Sequence, residues 1–280
     1  MKLARCSDTG EVFWGLVDLD GESVTPFRHP FDEWAPVITR DPDQVGRFTG
    51  TARALGPVEL LPPVDPGREV FAGGANYGKH VAELGLDARS KPTVFAKSYR
   101  ALIGARAPIE YPAVTDQLDY EVELVAVVGA AVLDRDDPWS SVLGYTVGND
   151  VSARDLQFAG SVTGMDIFSA KSLKNTSPVG PWIVTRDEFG GDAPDLEMTL
   201  TVNGETRQKA RTGQMVWNVA ELLAYVDDRA GVWCGDLLFT GSPAGIGHSS
   251  GRYLRPGDTV VATIERLGSL VNQVGEDPRA

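Results

Sequence analysis

The chain has 280 residues, 42% hydrophobic and 23% charged, so it can bury a sizeable core without disulfides or an obligatory partner, which excludes a peptide-sized or disordered module. Asp and Glu number 39 against 26 Lys and Arg, a formal charge of -13 that repels phosphate backbones and anionic bilayers, so neither nucleic acid nor a membrane is an expected partner. Cys6 and Cys234 form no C-x-x-C pair, the opening residues lack the apolar stretch of a secretory signal, and the longest uncharged apolar run, residues 124–133, is too short to span a bilayer, so a soluble cytoplasmic protein is expected.

The first sixty or so residues hold short apolar stretches separated by Asp-Gly and Pro turn signals, with a helix-compatible stretch near residues 42–55. They read as a small N-terminal α+β accessory domain, residues 1–66, closed by the helix- and ladder-breaking run Leu61-Pro62-Pro63-Val64-Asp65-Pro66-Gly67. In the main body, residues 67–280, strands are predicted at 69–72, 93–96, 120–128, 179–184, 197–202, 237–240 and 259–264, and a helix at 216–227. Asn203-Gly204 is a two-residue hairpin signal, because both residues tolerate positive φ. The fold class is α+β, mainly β, rather than an alternating parallel βαβ array.

The chemistry concentrates at acidic strand ends. In Asp119-Tyr120-Glu121-Val122-Glu123-Leu124, an extended chain points Glu121 and Glu123 the same way, and Asp150 ends another β run at Tyr145-Thr146-Val147-Gly148-Asn149-Asp150. Three hard oxygen donors, with no histidine or thiol at ligand spacing, suit Mg²⁺, Mn²⁺ or Ca²⁺ rather than zinc. Of three histidines, His80 alone has a carboxylate three positions on in a helix-like stretch, Glu83, and the two form a candidate general-base dyad. Gly73-x₄-Gly78-Lys79 nearly matches a P-loop, but His80 stands where that motif needs a hydroxyl, so nucleotide binding is not expected. Lys97 and Lys171 follow apolar or small residues and can meet a carboxylate or a developing enolate. The Gly-rich run 240–247 offers backbone N–H groups and hydroxyls to cup an anionic substrate end.

Taken in order, Asn76-Tyr77-x-x-His80-x-x-Glu83, Phe95-x-Lys97, Asp119-Tyr120-Glu121-x-Glu123-Leu124, Gly144-Tyr145-Thr146-Val147-x-Asn149-Asp150 through Arg154-Asp155-x-Gln157, Lys171-Ser172, Pro178-x-Gly180-Pro181-Trp182, Gly235-Asp236 and Thr240-Gly241-x-Pro243-x-Gly245-x-Gly247 resemble the fumarylacetoacetate hydrolase family over roughly residues 69–274. The resemblance implies a mixed β-roll catalytic domain, a homodimer, and Mg²⁺ (Mn²⁺ or Ca²⁺ in some members) bound by Glu121, Glu123 and Asp150. It further implies a water-activating dyad of His80 and Glu83 on a lid, enolate stabilisation by Lys171, and Tyr77, Lys97, Gln157 and Thr240 near the substrate. Lys174 departs from the acidic residue many relatives carry nearby, and Ser242 stands where Thr is commoner. The activity expected is metal-dependent hydrolysis of a C–C bond in a 2,4-dioxo acid of acylpyruvate or fumarylpyruvate type. The same apparatus would serve a hydroxymuconate-like isomerase or tautomerase, or an oxaloacetate decarboxylase.

Overall fold

The computed structural model describes residues 1–78, 91–131, 133–162, 164–190 and 193–280. The N-terminal segment forms strands β1 (Lys2–Asp8), β2 (Glu11–Asp18) and β3 (Ser23–Pro26), helix α1 (Phe31–Arg40), and short strands β4 (Arg53–Ala54) and β5 (Glu59–Leu61). There follow β6 (Val70–Gly74), β7 (Thr93–Ala96), β8 (Leu102–Ile103), β9 (Leu118–Asp119), β10 (Val122–Val128), β11 (Val142–Asn149), β12 (Ser152–Ala153) and two short helices, α2 (Arg154–Gln157) and α3 (Ile167–Lys171). Strands β13 (Ser177–Thr185), β14 (Glu197–Val202) and β15 (Glu205–Arg211), helix α4 (Val219–Ala230), β16 (Leu237–Phe239), helix α5 (Gly247–Ser250), β17 (Thr259–Ile264) and β18 (Gly268–Gln273) complete the order.

One 12-stranded sheet runs β4-β3-β2-β1-β13-β11-β10-β16-β6-β7, with β5 added on β1 and β8 on β13. It is mixed, because β16 pairs β6 and β8 pairs β13 in parallel. Lys2 and Leu3 pair with Val184 and Ile183, so strands from both sides of the Pro-rich 61–67 run lie in the same sheet. Asp65 within that run accepts hydrogen bonds from Arg5 Nε (3.1 Å) and Trp14 Nε1 (3.0 Å). The remaining strands include a four-stranded sheet, β15-β14-β17-β18, which shares with the large sheet a core containing Leu124, Ala126, Val147, Leu200, Ala262 and Leu270. A second core lies under α1, where Phe31, Trp34 and Ile38 meet Val125, Val127, Leu143 and Phe239. Alternate residues of β10 thus supply two cores, as the period-2 geometry of a strand dictates. The architecture is α+β and mainly β.

Two local expectations shift. Residues 42–55 form a 3₁₀ turn at Pro42–Arg47 and then β4, while the α-helix sits earlier, at Phe31–Arg40. The turn buries none of its residues and so has no apolar face to hold a longer helix. Pro36 removes one helical N–H from α1, but the buried face of Phe31, Trp34, Ala35 and Ile38 holds the helix in spite of it. Helix α4 starts at Val219 because Asn218 caps it: Asn218 Oδ1 accepts the Glu221 N–H (3.0 Å) and Glu221 Oε2 accepts the Asn218 N–H (2.8 Å). The Asn203-Gly204 turn forms as expected, with φ of 51° and 79°.

Gly144 lets β11 approach β13: a Cβ there would lie 2.2 Å from the Val184 carbonyl oxygen and 2.8 Å from Thr185 Cα. These are backbone atoms of a central strand, so Gly144→Ala is expected to lower unfolding free energy by about 1–3 kcal/mol. Gly46→Ala, whose Cβ meets nothing within 4 Å, should change it by less than about 1 kcal/mol. Urea denaturation of the two variants checks the contrast.

Candidate active site

In the β10–β11 pair Val122 lies opposite Asn149 and Glu123 opposite Gly148. The end of the pair is clasped by the Asp150 N–H donating to the Glu121 carbonyl (2.9 Å) and the Glu121 N–H donating to Asn149 Oδ1 (2.8 Å). The buried Gln208 adds a third clasp, accepting the Val122 N–H (2.9 Å). Glu121 and Glu123 therefore point to one face, Asp150 is drawn beside them, and one carboxylate oxygen from each lies within 4.8 Å of the others. All three side chains are buried, Glu123 completely, so this is not the solvated face of an amphipathic strand.

Three buried cations surround the carboxylates. Lys171, closing α3, donates from Nζ to Glu121 Oε2 (2.7 Å) and Asp150 Oδ2 (2.8 Å). Lys97, just after β7, donates to Asp150 Oδ1 (2.7 Å) and to the Lys171 carbonyl. Arg154, opening α2, donates from Nε to Asp119 Oδ2 (2.8 Å), from Nη1 to Gln157 Oε1 (2.8 Å) and from Nη2 to Glu121 Oε1. Burial opposes the charge of Lys171, but Asp150 and Glu121 outweigh it and raise its pKa above the ordinary lysine value. For Lys97 burial wins over the Asp150 carboxylate and the pKa falls.

Glu123 is the unbalanced member. Its Oε2 accepts the Gly241 N–H (2.7 Å), whereas its buried Oε1 has no hydrogen-bond partner among the described residues. Burial first, then the neighbouring Asp150 and Glu121 charges, raise its pKa well above the usual carboxylate range. An unpartnered buried carboxylate oxygen beside two further hard oxygen donors fits a divalent cation of the Mg²⁺, Mn²⁺ or Ca²⁺ kind.

The other expected site residues divide. Gln157 joins the cluster through Arg154. The Lys97 side chain is 0% exposed and wholly engaged by Asp150 and the Lys171 carbonyl, which places it behind the carboxylates. Tyr77 is buried with its hydroxyl donating to Met198 Sδ (3.2 Å), and burial together with the Glu123 charge raises its pKa. The Thr240 hydroxyl donates to the Leu124 carbonyl (2.9 Å), so its proton is directed at the framework. His80 and Glu83 lie outside the described residues. Three contributors had no role assigned from sequence: Arg154, Asp119 and Asn76. Asn76 ties the end of β6 to the 216–217 turn and to the Thr240 carbonyl, donating from Nδ2 to Trp217 O (2.8 Å) and Thr240 O (2.7 Å). Arg154 and Asp119 stand inside acidic motifs, but only their convergence in space shows what they hold.

Comparison with known proteins agrees with this geometry. Residues 69–275 match the family model described as fumarylacetoacetate (FAA) hydrolase C-terminal, and residues 1–63 match the one described as Rv2993c-like, N-terminal. The chain is 34% identical over 285 residues to 2,4-didehydro-3-deoxy-L-rhamnonate hydrolase of Sphingomonas sp., covering 99% of this chain and 96% of that one. Among solved structures it is similar to 5-carboxymethyl-2-hydroxymuconate delta-isomerase of Mycobacterium smegmatis, at TM-score 0.80 and 32% identity, covering 99% and 100% of the two chains. It is also similar to fumarylpyruvate hydrolase of Pseudomonas aeruginosa in complex with Mn²⁺ and pyruvate, at TM-score 0.68 and 30% identity, covering 78% of this chain and 92% of that one.

The raised pKa of Glu123 has a definite sign in stability. Between the unfolded carboxyl value, about 4.3, and the higher folded value the native state binds the extra proton, so metal-free stability falls as pH rises through that window. Glu123→Gln keeps an acceptor for the Gly241 N–H and removes the charge, so metal-free melting at pH 7 should be higher than in the wild type and flatter with pH. The same variant should lose the gain from added Mn²⁺, which for one site at a hundredfold excess over Kd is about 2.7 kcal/mol. Thermal melts across pH, with and without Mn²⁺, check both.

Proposed function

The chain belongs to the fumarylacetoacetate hydrolase family, an enzymatic family, and from that membership we propose that it is a divalent-metal-dependent hydrolase cleaving a C–C bond in a 2,4-dioxo acid of acylpyruvate or fumarylpyruvate type. The observation that carries the reading is the buried set of Glu121, Glu123 and Asp150, with Glu123 Oε1 unpartnered among the described residues. A Mn²⁺ and pyruvate complex of the Pseudomonas relative supports both the metal and the 2-keto acid end of the substrate.

A divalent cation held by Glu121, Glu123 and Asp150 would supply Lewis acidity toward the keto-carboxylate end of the substrate. Around it the chain's own residues divide the work. Lys171, kept protonated by Asp150 and Glu121, is the donor for the oxygen on which negative charge develops as the C–C bond breaks. Gln157, oriented by Arg154, offers its amide to a substrate oxygen. Lys97 fixes Asp150 from behind, and Tyr77 and Thr240 line the framework near Glu123 and Leu124. The sequence supplies His80 as the base that takes a proton from the attacking water, with Glu83 orienting it. Water adds to the distal carbonyl, the bond to the enolate carbon breaks, and protonation of the enolate gives a carboxylic acid and a 2-keto acid.

Isomerisation is the second reading, favoured by the similarity to the Mycobacterium isomerase. It uses the same enolate chemistry without water addition. The exposed Phe158, Val162, Met165 and Phe168, between Gln157 and Lys171, support a homodimeric assembly as part of the proposal.

Mass spectrometry of a 2,4-dioxo acid panel in H₂¹⁸O with Mn²⁺ or Mg²⁺ tests the reading. Hydrolysis should place solvent oxygen in the released carboxylic acid, whereas a product of unchanged mass supports the isomerase and an inert panel contradicts both. His80→Ala and Lys171→Met should each lower kcat by about 10²–10⁴-fold, and His80→Ala should leave Mn²⁺ affinity nearly unchanged.

A further inference from the structure

Asp119 lies beside the carboxylate set without belonging to it. It is completely buried, and four donors occupy it: the Tyr120 N–H (2.8 Å) and Gly247 N–H (2.6 Å) on Oδ1, and the His248 N–H (3.0 Å) and Arg154 Nε (2.8 Å) on Oδ2. With about four lone-pair sites, such a carboxylate has no capacity left for a ligand. Its approach to the 247–248 backbone depends on glycine, because a Cβ on Gly247 would sit 2.6 Å from Asp119 Oδ1 and 2.5 Å from the Arg252 carbonyl oxygen. Arg154 carries the connection onward, from Nη2 to Glu121 Oε1 and from Nη1 to Gln157 Oε1. A guanidinium is planar and rigid, so holding Nε sets the directions of both other nitrogens.

We propose that Asp119 is a positioning residue of this site: by holding and neutralising Arg154, it orients the Glu121 carboxylate toward a divalent cation and the Gln157 amide toward the substrate. This rests on the metal-dependent reading given above. Without Asp119 the guanidinium is free to turn both of its outer nitrogens onto Glu121, and its charge opposes a cation there. Both effects weaken metal binding, so the direction of the outcome is fixed.

The test is isothermal titration of Mn²⁺ into wild type, Asp119→Asn, Arg154→Met and the double variant, with kcat and KM measured in parallel. Asp119→Asn is expected to weaken Mn²⁺ binding by about 10–100-fold and to raise KM through Gln157. In the Arg154→Met background the same change should have no further effect on the Mn²⁺ constant, an interaction that a merely structural role would not produce. Mn²⁺ affinity within about twofold of wild type in Asp119→Asn, or an equal loss with and without Arg154, would overturn the proposal. Absence of saturable Mn²⁺ binding in the wild type would overturn the metal reading and this proposal with it. Should Asp119→Asn not fold, Gly247→Ala carries the same expectation, because it displaces Asp119 from its backbone donors.

Discussion

A charge imbalance buried at the end of the β10–β11 pair governs the rest of the site. Among the described residues, four carboxylates, Asp119, Glu121, Glu123 and Asp150, meet three cations, Lys97, Arg154 and Lys171. Each cation is engaged, and the deficit falls on Glu123, which among the described residues has one backbone donor and one oxygen without a partner. Leaving a carboxylate ionised and unpaired in a protein interior is costly, so it takes up a proton or a cation. The raised pKa of Glu123 is the first response, and a bound divalent ion is the second.

The fold keeps this imbalance from relaxing. Both faces of β10 are packed, one against the four-stranded sheet and the other under α1, so the strand has no freedom to turn its acids to solvent. The Gly-rich 240–247 run holds two of the protein's own carboxylates: the Gly241 N–H binds Glu123, and the Gly247 N–H binds Asp119. Gly241 has φ of 95°, and a Cβ there would meet Asn76 Cβ at 2.6 Å, so the glycine is required by conformation and by space. Two of the backbone donors that the sequence offers to an anionic substrate end, those of Gly241 and Gly247, instead hold the chain's own acids.

Much of this was legible in sequence where a single periodicity decides the outcome. Alternation along a strand was enough to bring Glu121 and Glu123 to one face, and positive-φ tolerance was enough to place the 203–204 hairpin. Helix α1 was not legible, because Pro36 argues locally against a helix that only the tertiary burial of Trp34 and Ile38 sustains. The roles of Arg154 and Asp119 were hidden for a similar reason. Their bonds span 33 and 35 residues between Arg154 and its two acids, and 128 between Asp119 and Gly247, separations that no local spacing rule covers. Lys97 shows the converse: apolar neighbours pointed to a lysine beside a carboxylate, but its complete enclosure behind Asp150 emerges only from packing.

The whole-chain charge of -13 describes the outer surface and has little authority inside the cleft. Among the described residues, one divalent ion added to the four buried acids and three bases turns the local balance positive, which suits an anionic keto acid. Proton release on Mn²⁺ binding tests this charge imbalance most directly, measured by calorimetry at several pH values in buffers of different ionisation enthalpy. One ion is expected to bind per chain with release of protons from Glu123, and that release should be lost in Glu123→Gln. Absence of saturable binding, or binding without proton release that survives Glu123→Gln, would contradict it.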